Sequence, residues 1–182
     1  KNLERLKLPG GGKGAPGIES RKADGPLSLK SLLPPPSRRG LILVDPSWEE
    51  KNELQTIPAA LAGALRRFPQ GTYIIWYPLL LMSKDTSKGT IKGAPGAEHS
   101  GTLPETLLKL FPAGRCCIEF HTAPRSREAF FPHTGTSPRG MYGSGLVVYN
   151  PPWTLKAALE DTLPYLAGVL GSGDWSLEWK QP

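Results

Sequence analysis

The stretch Arg39-Gly40-Leu41-Ile42-Leu43-Val44-Asp45-Pro46-Ser47-Trp48 decides the fold. Leu41 to Val44 is an unbroken apolar run that reads as a short buried strand. It stops at Asp45-Pro46-Ser47-Trp48 and gives way to Glu49-Glu50-Lys51-Asn52-Glu53, the acidic opening of a helix. Negative charge is favoured there by the helix dipole. In α/β sheets, ligands bind just outside the carboxyl ends of the strands. A carboxylate, a rigid proline and a large aromatic at such an edge suit a flat, hydrogen-bonding base.

Outward from this stretch, helix and strand signals alternate. Residues 49–67 predict a helix with Leu54, Ile57, Leu61 and Leu65 on one face, Arg66-Arg67 in the last turn and a bend or break at Pro58. Gly71 to Tyr77 is rich in β-formers. Beyond it come a helix over Leu103 to Phe111 with Thr102 as N-cap, and a strand over Arg115 to His121. A strand over Gly145 to Tyr149, a helix over Leu155 to Leu170 and a last strand over Trp175 to Trp179 complete the series. Upstream, Asn2 to Leu8 reads as a short amphipathic helix, and Ile18 to Ala23 as a strand ending at Asp24-Gly25. Leu27 to Leu33 reads as a helix stopped by Pro34-Pro35-Pro36. The alternation predicts an α/β fold with a mainly parallel sheet and an antiparallel last strand. It also places Leu41 to Val44 centrally.

The 182 residues suit one domain or part of a larger one. Gly 21 and Pro 20 cluster in loops rather than spreading through the chain, with insertions near 83–101 and 123–139 and a basic, Gly-rich, flexible segment over 1–17. No apolar run reaches the roughly 20 residues of a membrane helix. Net charge is +6, and residues 1–40 carry all of it, with nine Lys/Arg against three Asp/Glu. A basic arm ahead of a neutral domain suits phosphate contacts on nucleic acid. Cys116 and Cys117 are neighbours and should face opposite sides of a strand, so no internal disulfide is expected and a reducing compartment is the simplest setting. His99, His121 and His133 show no metal-ligand spacing, and no metal is expected. Tyr73, Trp76 and Tyr77 could stack on bases, but strand packing is the simpler reading.

Methylating an exocyclic amine requires that the base be held flat and its amine hydrogens be accepted. A side-chain oxygen and a backbone carbonyl fixed by proline can accept them, and a following aromatic can stack on the base. Asn150-Pro151-Pro152-Trp153 fits that pattern letter for letter. Asp45-Pro46-Ser47-Trp48 has Ser where the second proline would be. The central place expected for the first strand favours Asp45; Asn150-Pro-Pro-Trp reads as a strand-to-helix turn with Trp153 packing the helix start.

The chain resembles the C-terminal part of the RlmJ family, bacterial methyltransferases that modify an adenine N6 in large-subunit ribosomal RNA. The matching blocks are Asp24-Gly25, Leu33-Pro34-Pro35 with Arg38-Arg39-Gly40, Leu41 to Pro46, Gly71-Thr72-Tyr73 with Trp76-Tyr77-Pro78, Arg139-Gly140-Met141 with Ser144-Gly145, and Asn150 to Trp153. They cover about residues 18–182, in the family's order. The resemblance implies a Rossmann-like class I methyltransferase sheet, S-adenosylmethionine as donor, and ribosomal RNA, with ribosomal proteins nearby, as partner. It implies that Asp45 accepts the adenine amine, that Pro46 supplies the carbonyl, that Trp48 takes the stacking place, and that Asp24 and Gly25 lie near the donor's adenine. The family's Gly-rich donor turn has no counterpart here, since Gly10-Gly11-Gly12 follows a short polar segment. The family's donor-binding N-terminal half is not among these residues: it is cut away, not observed, supplied by another chain, or lost, and S-adenosylmethionine is expected only where that half is present. The other reading is a catalytically silent RNA-binding or ribosome-associated subunit. The Gly- and Pro-rich insertions point to an organellar, mitochondrial version of a bacterial protein.

Overall fold

The computed structural model describes residues 4–6, 18–20, 22–48, 50, 52–80, 103–111, 113–121, 141–170 and 174–181. The expected loops near 83–101 and 123–139, and the Thr102 cap, lie outside them. Strands β1 (Glu4–Leu6) and β2 (Ile18–Ser20) pair antiparallel as a small separate sheet. The helix expected over Asn2 to Leu8 is thus a strand at residues 4–6, where pairing with β2 outweighs the weak helical periodicity.

Helix α1 (Gly25–Leu32) begins at Asp24, whose Oδ1 accepts the Leu27 N–H at 3.0 Å as an N-cap. Asp24 therefore opens a helix rather than closing a strand. Strand β3 (Leu41–Val44), helix α2 (Glu53–Arg67) and strand β4 (Thr72–Leu80) follow. Pro58 sits inside α2, buried beside Ile57. The chain continues through α3 (Leu103–Leu110), β5 (Arg115–His121), β6 (Met141–Tyr149), α4 (Leu155–Leu170) and β7 (Asp174–Lys180).

The main sheet runs β3-β4-β6-β5-β7. Among the described residues only β3 and β4 pair parallel; β4–β6, β6–β5 and β5–β7 are antiparallel. The fold is mixed α/β, and the mainly parallel sheet expected from the alternation is corrected on this point. β4 and β5 do run the same way, but β6 inserts between them in the opposite sense. The last strand is antiparallel, as expected. A second correction concerns β3, which among the described residues lies at an edge of the sheet rather than its centre, with β4 as its neighbour.

Two cores sandwich the sheet. Tyr73, Ile75 and Tyr77 of β4 pack with Ile57, Leu61 and Ala64 of α2 and Leu103 and Leu107 of α3. On the other face Cys116, Ile118 and Val148 pack with Leu163 of α4 and with Trp175, Leu177 and Trp179 of β7. Tyr73 and Tyr77 are fully buried, so packing accounts for both. Cys116 and Cys117 fall in opposite cores and are free, as their adjacency predicts. On β3, Ile42 and Val44 face the α2 core, whereas Leu41 and Leu43 are each 62% exposed.

Burial sets an alkaline limit on this fold. It pushes the Cys116 thiol from 9.0 up to about 12 and, with the nearby Tyr149 hydroxyl, the Tyr73 hydroxyl from 10.0 up to about 12. Unfolding restores ordinary values, so the unfolded chain sheds protons first as pH rises. The stability these groups confer is complete below about pH 9 and declines as pH climbs towards 12. The urea midpoint should therefore be lower at pH 11 than at pH 8; an unchanged midpoint would contradict the burial of these groups.

Candidate functional site

Chain direction separates the two proline-containing tetrapeptides. Leu41 pairs with Thr72 and Val44 with Ile75, so Asp45 emerges at the carboxyl end of β3, level with the middle of β4. β6 runs the opposite way, with Tyr149 opposite Tyr73 and Arg115. Asn150 therefore emerges at the amino ends of β4 and β5, on the far side of the sheet from Asp45. There it works as a corner. Its N–H donates to the Gly114 carbonyl at 2.7 Å, its Nδ2 donates to the Gln70 carbonyl at 2.9 Å, and its own carbonyl accepts from Thr72 Oγ1 at 2.9 Å. Its φ of 50° is one that Asn tolerates better than most residues. Trp153, expected to pack the start of α4, is 90% exposed instead.

Asp45 and Pro46 line a cleft of about 200 Å³ with Gly25, Pro26, Leu29, Leu43, Val44, Ile57 and Ala60. Two segments 20 residues apart, Gly25 and Asp45, are brought to one opening because α1 packs on α2 beside the end of β3. A side-chain carbon added at Gly25 would meet nothing within 4 Å, so the backbone there is open to the cleft. Asp24 borders an adjoining groove between α1 and α2 that also includes Lys30, Glu53, Arg66 and Arg67. Asp45 is exposed, free to accept hydrogen bonds from something entering the cleft.

Trp48 is turned inward. It is 4% exposed, and its Nε1–H donates to the Trp76 carbonyl at 2.9 Å. Its φ of 56° lies in the left-handed region, which is costly for a bulky residue and persists only where the surroundings impose it. In this conformation the indole anchors the 45–48 turn to β4.

Sequence reasoning missed two groups. Glu53, in the first turn of α2, accepts from Ser47 Oγ and from the Glu50 N–H, both at 3.4 Å. The Glu53 signal was present in the sequence as an acid at a helix start, and its tertiary partner was not. The second group joins strands across the sheet. Tyr77 Oη lies 3.3 Å from Cys117 Sγ and donates to Glu119 Oε1 at 3.1 Å, while His121 sits 3.7 Å from Glu119 and 3.5 Å from Asp174. Burial, above all, raises both the Tyr77 hydroxyl and the Cys117 thiol, so each stays protonated at neutral pH. Among the described residues, no group of three or more His, Cys, Asp or Glu could hold a metal ion, and no helix is long and apolar enough to cross a membrane. Arg139, His99 and His133 lie outside the described residues.

The chain matches the family model described as "Ribosomal RNA large subunit methyltransferase D, RlmJ" over residues 15–103 and 129–181. It is similar to ribosomal RNA large subunit methyltransferase J of Haemophilus influenzae, with 38% identity over 85% of this chain and 47% of that protein. The protein of the same name from Escherichia coli is 35% identical over 88% of this chain and 50% of its own. A crystal structure of a Legionella pneumophila protein, 30% identical, superposes with a TM-score of 0.64 over 87% of this chain and 50% of that one. The chain spans about half the length of the curated relatives it matches. Its matched segments hold both walls of the cleft, Gly25 and Asp45-Pro46, and on this match the chain belongs to the RlmJ family.

Proposed function

We propose that this chain is the amine-holding part of a ribosomal RNA adenine-N6 methyltransferase, with residues 18–182 forming part of a Rossmann-like class I domain. The observation that carries the reading is the junction of Asp45, Pro46 and Gly25 at one cleft beyond the carboxyl end of β3. In this reading the Asp45 carboxylate accepts one hydrogen of a flipped adenine's amine, and the Pro46 carbonyl accepts the other. Both hydrogen bonds hold the nitrogen in a fixed direction and favour the charge that develops on it. Trp48 takes the stacking place if its indole leaves the Trp76 carbonyl; otherwise it braces the turn from below.

S-adenosylmethionine supplies an electrophilic methyl group when bound. At about 200 Å³ the cleft is smaller than the ~300–1,000 Å³ of a small-molecule site, so the residues fit part of the donor. Gly25, with Asp24 behind it, would lie along the donor's adenine, where the absent side chain leaves room. The remaining walls belong to the length of the relatives that this chain does not span. Exposed Lys22, Lys30, Arg38 and Arg39 would meet RNA phosphates, making association weaken with salt.

The alternative of a silent ribosome-associated subunit has less support, because the curated relatives carry methyltransferase names and Asp45-Pro46 is retained at the cleft. Both of those relatives are bacterial, and the mitochondrial expectation rests on composition alone. Calorimetry of the intact protein with S-adenosylmethionine tests the reading. Saturable one-to-one binding is expected; no heat up to about millimolar donor, on the ~4 kcal/mol scale of such weak affinities, would remove it.

A further inference from the structure

The turn that carries Asp45 lacks the second proline of the amine-methylating pattern, and Ser47 stands in its place. A proline at 47 would fix its own φ and push the residue before it into an extended conformation. That residue is Pro46, whose carbonyl must point at the amine. Serine imposes neither restraint through its backbone.

The side chains provide another. Ser47 Oγ donates to Glu53 Oε2 at 3.4 Å, and the Glu50 N–H donates to the same oxygen at 3.4 Å. The Glu53 N–H in turn donates to the Glu50 carbonyl at 3.0 Å, which closes the loop onto the start of α2. Glu53 is half-buried, while Ser47 is exposed. Each 3.4 Å contact is long, and so weak by itself. A carboxylate acceptor strengthens both, and they share one oxygen on a helix that is fixed in the core. Between them Trp48 is pinned by its burial and by the Trp76 carbonyl. The turn is thus held at Ser47 from outside and at Trp48 from inside, with Pro46 immediately before.

We propose that Ser47 and Glu53 are a positioning pair that does the work of the missing second proline, aiming the Pro46 carbonyl and the Asp45 carboxylate into the cleft. The pair rests on the methyl-transfer reading for its purpose, but its geometry can be tested apart from it. Glu53 does not touch the base or the donor in this account; it acts through Ser47.

The test is a double-mutant cycle in the intact protein, read both in RNA methylation and in amide exchange at Trp48. Glu53→Ala is expected to lower kcat about ten- to hundredfold, as small misplacements of reacting groups do, with the KM for S-adenosylmethionine unchanged. Glu53→Gln, which keeps an acceptor oxygen at the same reach, should restore most of the rate. In a Ser47→Pro background, whatever its own rate, Glu53→Ala should change kcat by less than about threefold, because proline then restrains the turn. Trp48 amide exchange should accelerate with Glu53→Ala in the Ser47 protein and not in the Ser47→Pro protein. Equal losses of rate and equal acceleration in the two backgrounds would overturn the pair. If the wild type transfers no methyl group to RNA, the functional reading fails. The exchange cycle then decides the pair alone: coupling supports it, and no coupling overturns it.

Discussion

Asp45→Ala in the intact protein is expected to lower methyl transfer to adenine by about 10²–10³-fold, the cost of deleting one preorganised polar group aimed at the reacting centre. The carboxylate is exposed at the carboxyl end of β3, and its replacement by a methyl group disturbs no core packing. Thermal unfolding should therefore stay within the ~0.5 kcal/mol that surface changes produce. Asp45→Asn keeps an acceptor oxygen in the same place and should lose less, about tenfold. A rate that survives both changes would detach the cleft from the chemistry. The Asn150→Ala variant makes the contrast. Asn150 holds Gln70 and Gly114 at the opposite end of the sheet, so its loss should appear as reduced stability, with the donor affinity intact.

The largest effect on stability is expected at Gly145. This glycine lies opposite Tyr77 on β4 and Glu119 on β5, and a side-chain carbon there would drive into the Tyr77 ring and hydroxyl. Tyr77 cannot yield easily. It is fully buried, and its hydroxyl reaches across β6 to Cys117 and Glu119, a path that exists only because Gly145 has no side chain. Gly145→Ala should destabilise the fold by about 3 kcal/mol, or roughly 6–12 °C in Tm for a domain of this size. In a Tyr77→Ala background the obstruction is gone, and the same substitution should cost almost nothing further. Equal costs in both backgrounds would show that Tyr77 does not occupy that space.

These particulars mark what could be read from the sequence. The helix over Leu155 to Leu170 and the strand over Arg115 to His121 have the bounds that periodicity and turn residues predict, since both signals are local. The position of β6 between β4 and β5 is not local. It depends on partners tens of residues away, such as Tyr73 with Tyr149, which no window along the chain contains. The same holds for β3. An unbroken Leu-Ile-Leu-Val run predicts burial on both faces, yet among the described residues only the Ile42 and Val44 face is covered.

The preference for Asp45 over the better-matching Asn150 rests, in the sequence, on a central place for its strand, whereas among the described residues β3 lies at an edge of the sheet. Strand direction supplies the sounder reason. Trp48 is the least legible residue of the site. An aromatic after Asp-Pro predicts an exposed stacking surface, whereas its left-handed backbone and its bond to Trp76 turn it inward. Glu53 was legible as a helix-start acid, and its hold on Ser47 was not, because the intervening turn decides where the chain returns.

The most direct measurement is nucleoside analysis by mass spectrometry of unmodified large-subunit ribosomal RNA after incubation with the intact protein and S-adenosylmethionine. The account requires N6-methyladenosine at a single site from the wild type and almost none from Asp45→Ala. Unmodified adenosine from both proteins, or equal N6-methyladenosine from both, would contradict it.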